Sequence, residues 1–115
     1  LVAAVVARSP GVVSMAGAFD VPKLAALLAG AVVAVTNNSG GMHLADAVGT
    51  PVVALFAGTE DEGHFRPRSV PSAVLRVPTD CSPCRQFRCP FHLECLDVAP
   101  SVAADAALRL ADNAE

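Results

Sequence analysis

The chain of 115 residues contains neither Trp nor Tyr, yet its hydrophobic content reaches 53%. Much of that content is Ala and Val, so the sequence predicts a core built from small side chains. A mean hydropathy of +0.50 argues against a disordered chain. The length suits one domain with a modest core. Positive charge is not in excess either: a formal net charge of −3 gives no basic field for nucleic acid. Arg66, Arg68, Arg76, Arg85 and Arg88 form a local basic stretch, which reads as a solvated surface.

Long apolar runs are missing as well. No segment reaches the roughly 18 apolar residues that cross a bilayer, and LAALLAGAVVAV is interrupted by Gly30. The opening LVAAVVA lacks the basic leader and processing site of a secretory signal, and there is no initiator Met. These features together predict a cytoplasmic piece of a longer protein. Internal repeats and an Asp-x-Asp motif for a divalent ion are also lacking.

What is present is an alternation of helix and strand signals. Residues 1–7 read as the end of a helix, and residues 12–14 as a short strand after the Pro10-Gly11 turn. Asp20 offers an N-cap, Pro22 sits in the first turn, and Leu24, Leu27 and Leu28 share a helical face that Gly30 ends. Residues 31–35 are apolar without alternation, as in a strand covered on both faces. Residues 42–48 predict a short helix closed by Gly49, and PVVALFA from Pro51 a second buried strand. A charged loop and a strand over residues 73–77 follow. Ser101 is placed to cap a last helix with Val102, Ala106 and Leu110 inward and an Asp105–Arg109 pair outside. The pattern predicts an α/β fold with a parallel sheet and flanking helices.

The stretch TNNSGGMHLADA stands between the first two apolar strands and holds more polar groups than a turn requires. In open parallel sheets, ligands bind beyond the carboxyl ends of the strands. The first turn of the following helix carries unpartnered N–H groups and a positive dipole end. Gly40 and Gly41 remove Cβ atoms that would hold an anion away, Ser39 adds a hydroxyl and Asn38 an amide. This is the chemistry of phosphate or diphosphate capture. The alternative is that Asn38 or Ser39 only caps the helix and the glycines only shape the turn. Gly58 and Thr59 end the next strand and would stand beside the first loop. His43, within a turn of the anion site, could brace the elbow through one ring nitrogen and offset negative charge with the other. A hydrogen-bonded structural histidine is the plainer reading. Asp46 reads as a bracing or solvated residue.

The run NSGGMHLADAVGTPVVALFAGT resembles the signature of glycosyltransferase family 9, the heptosyltransferase-like enzymes. The likeness continues through R-P-R, C-S-P-C, C-P and E-C-L-D to the last helix. It implies a two-domain GT-B fold, of which residues 1–115 would be most of the Rossmann-like C-terminal domain that holds the nucleotide-sugar donor. The family elbow usually reads D-[S/T]-G-x-x-H; Ser39, Gly40 and His43 match it, and Asn38 replaces the acid. By resemblance, residues 39–41 meet the donor diphosphate, Asn38 lies close to the sugar, and Thr59 matches the threonine of the family's G-x-T or G-T turn. The resemblance implies inverting transfer of a sugar, with ADP-heptose as donor by analogy, to a lipopolysaccharide-core or related glycan or lipid-linked acceptor. His43 is then a leaving-group stabiliser and no metal cofactor is required. The general base and acceptor loop would belong to a missing N-terminal domain, so no catalytic base is assigned here and the fragment alone is expected to be inactive. The full-length protein would sit in the cytoplasm or at the inner face of the membrane.

The order Cys81-x2-Cys84-x4-Cys89-x5-Cys95 takes in all four cysteines. Four thiolates suit tetrahedral zinc and would close a loop with little core of its own, with His92 as a spare ligand. Free thiols or disulfides remain open, with three pairings available. A redox pair would require C-S-P-C to open a helix on a strand. Two other functions compete with the transferase. One is an epimerase-like GT-B enzyme; the other is a non-catalytic, metal-stabilised α/β interaction module.

Overall fold

The computed structural model describes residues 1–114. Helices α1 (Val2–Arg8) and α2 (Val21–Ala29) precede strand β1 (Ala34–Asn37), helix α3 (Gly40–Ala47) and strand β2 (Val52–Leu55). A short helix α4 (Glu62–Phe65), strand β3 (Ser72–Leu75), a single 3-10 turn at Glu94–Leu96 and helix α5 (Pro100–Asp112) follow. The strands form a parallel sheet in the order β1-β2-β3. Pairing is in step: Asn37 lies opposite Leu55, and Leu55 opposite Leu75. All three strands therefore finish at the same rim.

The central strand explains the core. Val52, Ala54 and Phe56 point to one face and pack with Met42 and Ala45 of α3, flanked by Leu28, Ala34, Val70 and Val74. Val53 points the other way and is also fully buried. That face is covered by α5, which packs on all three strands and buries Ala106. An apolar run without alternation is the signature of a strand covered twice, and β2 fulfils it. Helix α2 docks on α3, and Thr50, the one buried polar residue among those described, ties the two by donating its hydroxyl to the Leu28 carbonyl at 2.6 Å.

Local signals set most helix ends. The Asp20 carboxylate accepts the Lys23 amide at 3.0 Å, with Pro22 in the first turn. Gly49, at φ +86°, ends α3: its amide reaches the Asp46 carbonyl, and the Thr50 amide reaches that of Ala45 at 3.0 Å. That crossed pair needs a left-handed residue after the helix, which glycine adopts without a Cβ penalty.

Several expectations are corrected. Residues 12–14 form no strand; Val12 and Val13 are exposed, because a short Val-Val-Ser run without a ladder partner does not make one. Strand β1 begins at Ala34 and alternates, with Val35 exposed, since it is an edge of the described sheet. Helix α3 starts two residues earlier than the apolar pattern, at Gly40. Ser101 does not cap α5: Ala99 holds the N-cap position with no side-chain bond, because Pro100 fits the first helical position and draws Ser101 inside the helix. Of the three residues expected inward on α5, Ala106 is buried but Val102 is exposed, and no Asp105–Arg109 ion pair forms among the described residues. No helix among the described residues is long and apolar enough to cross a membrane.

Candidate functional site

The chain leaves β1 at Asn37 and turns sharply at the rim. Asn38 stays in the ladder, donating its amide to the Leu55 carbonyl at 3.2 Å. Its side-chain oxygen accepts the Ala57 amide, also at 3.2 Å. The elbow and the loop after β2 are therefore adjacent, and Asn38 holds them together. Ser39 is the extended N-cap of α3, with its amide on the Asn37 carbonyl at 2.8 Å and its hydroxyl free of any capping bond.

The next two amides differ. Among the described residues, neither the Gly40 nor the Gly41 N–H has an acceptor. Both belong to the first turn of α3, where the chain offers none and the helix dipole is positive. Gly40 is exposed, and a Cβ built on it would meet nothing within 4 Å. On Gly41 a Cβ would make ordinary contacts, 3.8 Å to Thr36 Oγ1 and 4.0 Å to Ser39 Oγ. Neither residue has a positive φ. The fold itself thus does not demand glycine at 40 or 41.

His43 is exposed one turn along α3 and lines an open groove with Gly40, Gly41 and Leu44, walled by Val21 and Leu24 of α2. Its ring makes no hydrogen bond among the described residues, so the bracing expected of it is performed instead by Asn38. Asp46 braces a second connection. Its two carboxylate oxygens accept the Arg68 amide at 3.1 Å and the Ser69 amide at 2.9 Å, fixing the loop before β3 against α3. Partial burial pushes its pKa up, but donors from Ser69, Arg68 and Val70, together with the nearby His43, outweigh that and hold it below the usual 3.8.

Part of the basic stretch contacts the fold. The Arg68 guanidinium donates to the Gly63 carbonyl at 2.9 Å, and Arg76 pairs with Glu62 at 3.5 Å.

Gly58 and Thr59 occupy the rim beside the elbow but meet protein. Gly58 is buried, and a Cβ there would stand 3.2 Å from Ser82 Cβ and Oγ and 3.3 Å from Cys95 Cβ. Its carbonyl accepts the Cys84 amide at 2.8 Å, and that of Thr59 the Arg85 amide at 3.0 Å. The cysteine-bearing segment therefore lies directly on this loop, and that contact accounts for the glycine. Cys81, Cys84, Cys89 and Cys95 all line one small cavity of about 110 Å³ above it. All four are free thiols, and residues 81–84 form turns rather than the start of a helix. Sequence reasoning did not identify Ala57, whose contribution is a main-chain amide with no residue signature.

The fold has a solved counterpart. It is similar to the crystal structure of a glycosyl transferase family 9 protein from Veillonella parvula DSM 2008, with a TM-score of 0.69 and 24% sequence identity over 84% of this chain. The chain spans 28% of the length of that structure. Comparison with curated proteins gave no match. The model of glycosyltransferase family 9 (heptosyltransferase) matches residues 2–94, a span that includes the elbow, the loop after β2 and all but the last of the cysteines. An α/β domain with a parallel sheet, an open elbow at its carboxyl rim and that match over most of its length belongs to glycosyltransferase family 9.

Proposed function

We propose that this chain is the donor-binding part of a glycosyltransferase that moves a sugar, heptose by analogy with the family, from a nucleoside diphosphate to a glycan acceptor. The observation that carries the reading is the pair of unpartnered amides at the exposed Gly40 and the half-buried Gly41, at the carboxyl rim of the sheet. Such donors, at the positive end of a helix, suit the oxygens of a diphosphate.

In this reading the diphosphate lies over Gly40 and Gly41 with the Ser39 hydroxyl as a further donor. Asn38 turns its amide toward the sugar while its oxygen remains on Ala57. Thr59 borders the same rim and supplies a hydroxyl near the donor. An acceptor hydroxyl attacks the anomeric carbon, the bond to the diphosphate oxygen breaks, and the configuration inverts. Negative charge then grows on the departing diphosphate, where fixed amide donors stabilise it more than in the ground state. His43, one turn into α3, is placed to donate to the same oxygens, so transfer proceeds without a divalent ion. The acceptor hydroxyl's proton goes to a base outside these 115 residues, so the chain alone is expected to bind donor without turnover. A lipid-linked acceptor of the lipopolysaccharide type would bring the complete protein to the inner face of a membrane.

Titration of ADP into the chain by calorimetry tests the reading. Saturable binding should be abolished by Ser39→Pro. His43→Ala should weaken it about tenfold, the effect of one lost hydrogen bond to a charged oxygen. Equal affinity in all three proteins would contradict it.

A further inference from the structure

We infer that Cys81, Cys84, Cys89 and Cys95 form a tetrahedral thiolate site for one zinc ion, and that this ion fixes the loop carrying Gly58 and Thr59. The proposal is independent of what the elbow binds.

Three observations carry it. The four thiols come from a segment of fifteen residues, counted from Cys81 to Cys95, and every one lines the same cavity of about 110 Å³. The segment also lacks a core of its own: it has one 3-10 turn, and Phe87, Phe91 and Leu93 are exposed. Its apolar burial is too small to hold it, the situation in which small modules rely on a metal or a disulfide. Finally, the Phe91 amide donates to Cys89 Sγ at 3.4 Å, two residues along the chain past Pro90. A backbone N–H of this kind is the outer-shell donor that a ligating sulfur uses. Cys81 Sγ donates to Thr79 Oγ1 at 3.5 Å, a second polar contact beside the cluster.

In the present arrangement no three His, Cys, Asp or Glu side chains among the described residues stand close enough to hold an ion together. The thiols must therefore turn into the cavity they share and contract it until each sulfur is about 2.3 Å from zinc. Four thiols give up four protons, and the resulting tetrathiolate centre carries a net charge of −2. Soft sulfur ligands in a tetrahedral set select zinc over harder cations. The mechanical consequence follows from contacts already in place. The Cys84 amide holds the Gly58 carbonyl, the Arg85 amide holds that of Thr59, and Cys95 Cβ abuts Gly58. The Cys95 carbonyl also accepts the Val77 amide at 3.1 Å, just past β3. An ion joining Cys84 to Cys95 would lock that loop from both sides.

The test is metal analysis of the reduced chain after reconstitution with zinc and removal of excess, followed by cobalt substitution. One zinc per chain and an intense tetrahedral cobalt–thiolate spectrum are expected. Cys84→Ser and Cys89→Ser should each lose stoichiometric zinc while the far-ultraviolet circular dichroism of the α/β core persists. Should those variants fail to fold, the stoichiometry and cobalt spectrum of the unaltered chain decide alone. Four freely titrating thiols in zinc-treated folded protein, an iron–sulfur chromophore in place of zinc, or disulfides that reform in preference to metal uptake would overturn the proposal.

Discussion

Asn38 Oδ1 accepts the Ala57 amide at 3.2 Å and so joins the two loops that leave the adjacent strands β1 and β2. That single side chain makes one rim of what would otherwise be two independent connections. Asn38→Ala should leave the partly buried Ala57 amide without an acceptor and cost about 1–2 kcal/mol in urea unfolding. Asn38→Asp keeps an acceptor at the same reach and should stay within about 0.5 kcal/mol of the parent. A loss as large for Asp as for Ala would show that the bond does not hold the loops.

Asp46 links stability to pH. Its folded pKa lies below the usual value of 3.8, so ionisation favours the folded chain. The contribution is full above the unfolded pKa and disappears as pH falls through the folded one. Asp46→Asn should therefore destabilise the chain at pH 7, by about 1 kcal/mol since the bonds are solvent-screened. The gap between variant and parent should close as the medium is acidified below pH 3.8. Denaturant midpoints measured across that range check the sign.

Gly58 is predicted to tolerate no side chain. Its added Cβ would stand 3.2 Å from Ser82 and 3.3 Å from Cys95, so the cysteine segment would have to shift. Gly58→Ala should cost about 1–3 kcal/mol. It should also speed the reaction of the reduced cysteines with a thiol reagent. Unchanged thiol kinetics would place the segment elsewhere.

Gly40 behaves in the opposite way. With open space around its Cβ position and no positive φ, Gly40→Ala should stabilise α3, by up to about 1 kcal/mol. Gly40→Val should fold as well as the parent but bind ADP at least tenfold more weakly, because the side chain covers the neighbouring amides. Thermal unfolding and calorimetry on the same samples separate the two effects.

Much of this was legible from residue types acting locally. Asp20 and Pro22 announce a helix start, Gly49 its left-handed stop, and the unbroken apolar run at residues 52–54 a strand covered twice. The position of the elbow followed from the same signals, since neighbouring parallel strands bring their exits together. What was not legible depends on partners far along the chain. The Val-Val-Ser run at residues 12–14 looks like a strand until no ladder is found for it. Gly58 reads as a ligand loop, yet Ser82 and Cys95 account for it. The Ala57 amide that Asn38 holds is a main-chain group, which no sequence pattern marks. Ser101 misleads because Pro100 beside it starts the helix first.

The central claim concerns two N–H groups, and an amide-resolved nuclear magnetic resonance titration with ADP observes them directly. The Gly40 and Gly41 amide resonances should show the largest shifts, saturating together with those of Ser39 and His43. Resonances of Gly40 and Gly41 that stay fixed while ADP saturates the chain elsewhere, or fail to respond at any concentration, would contradict it.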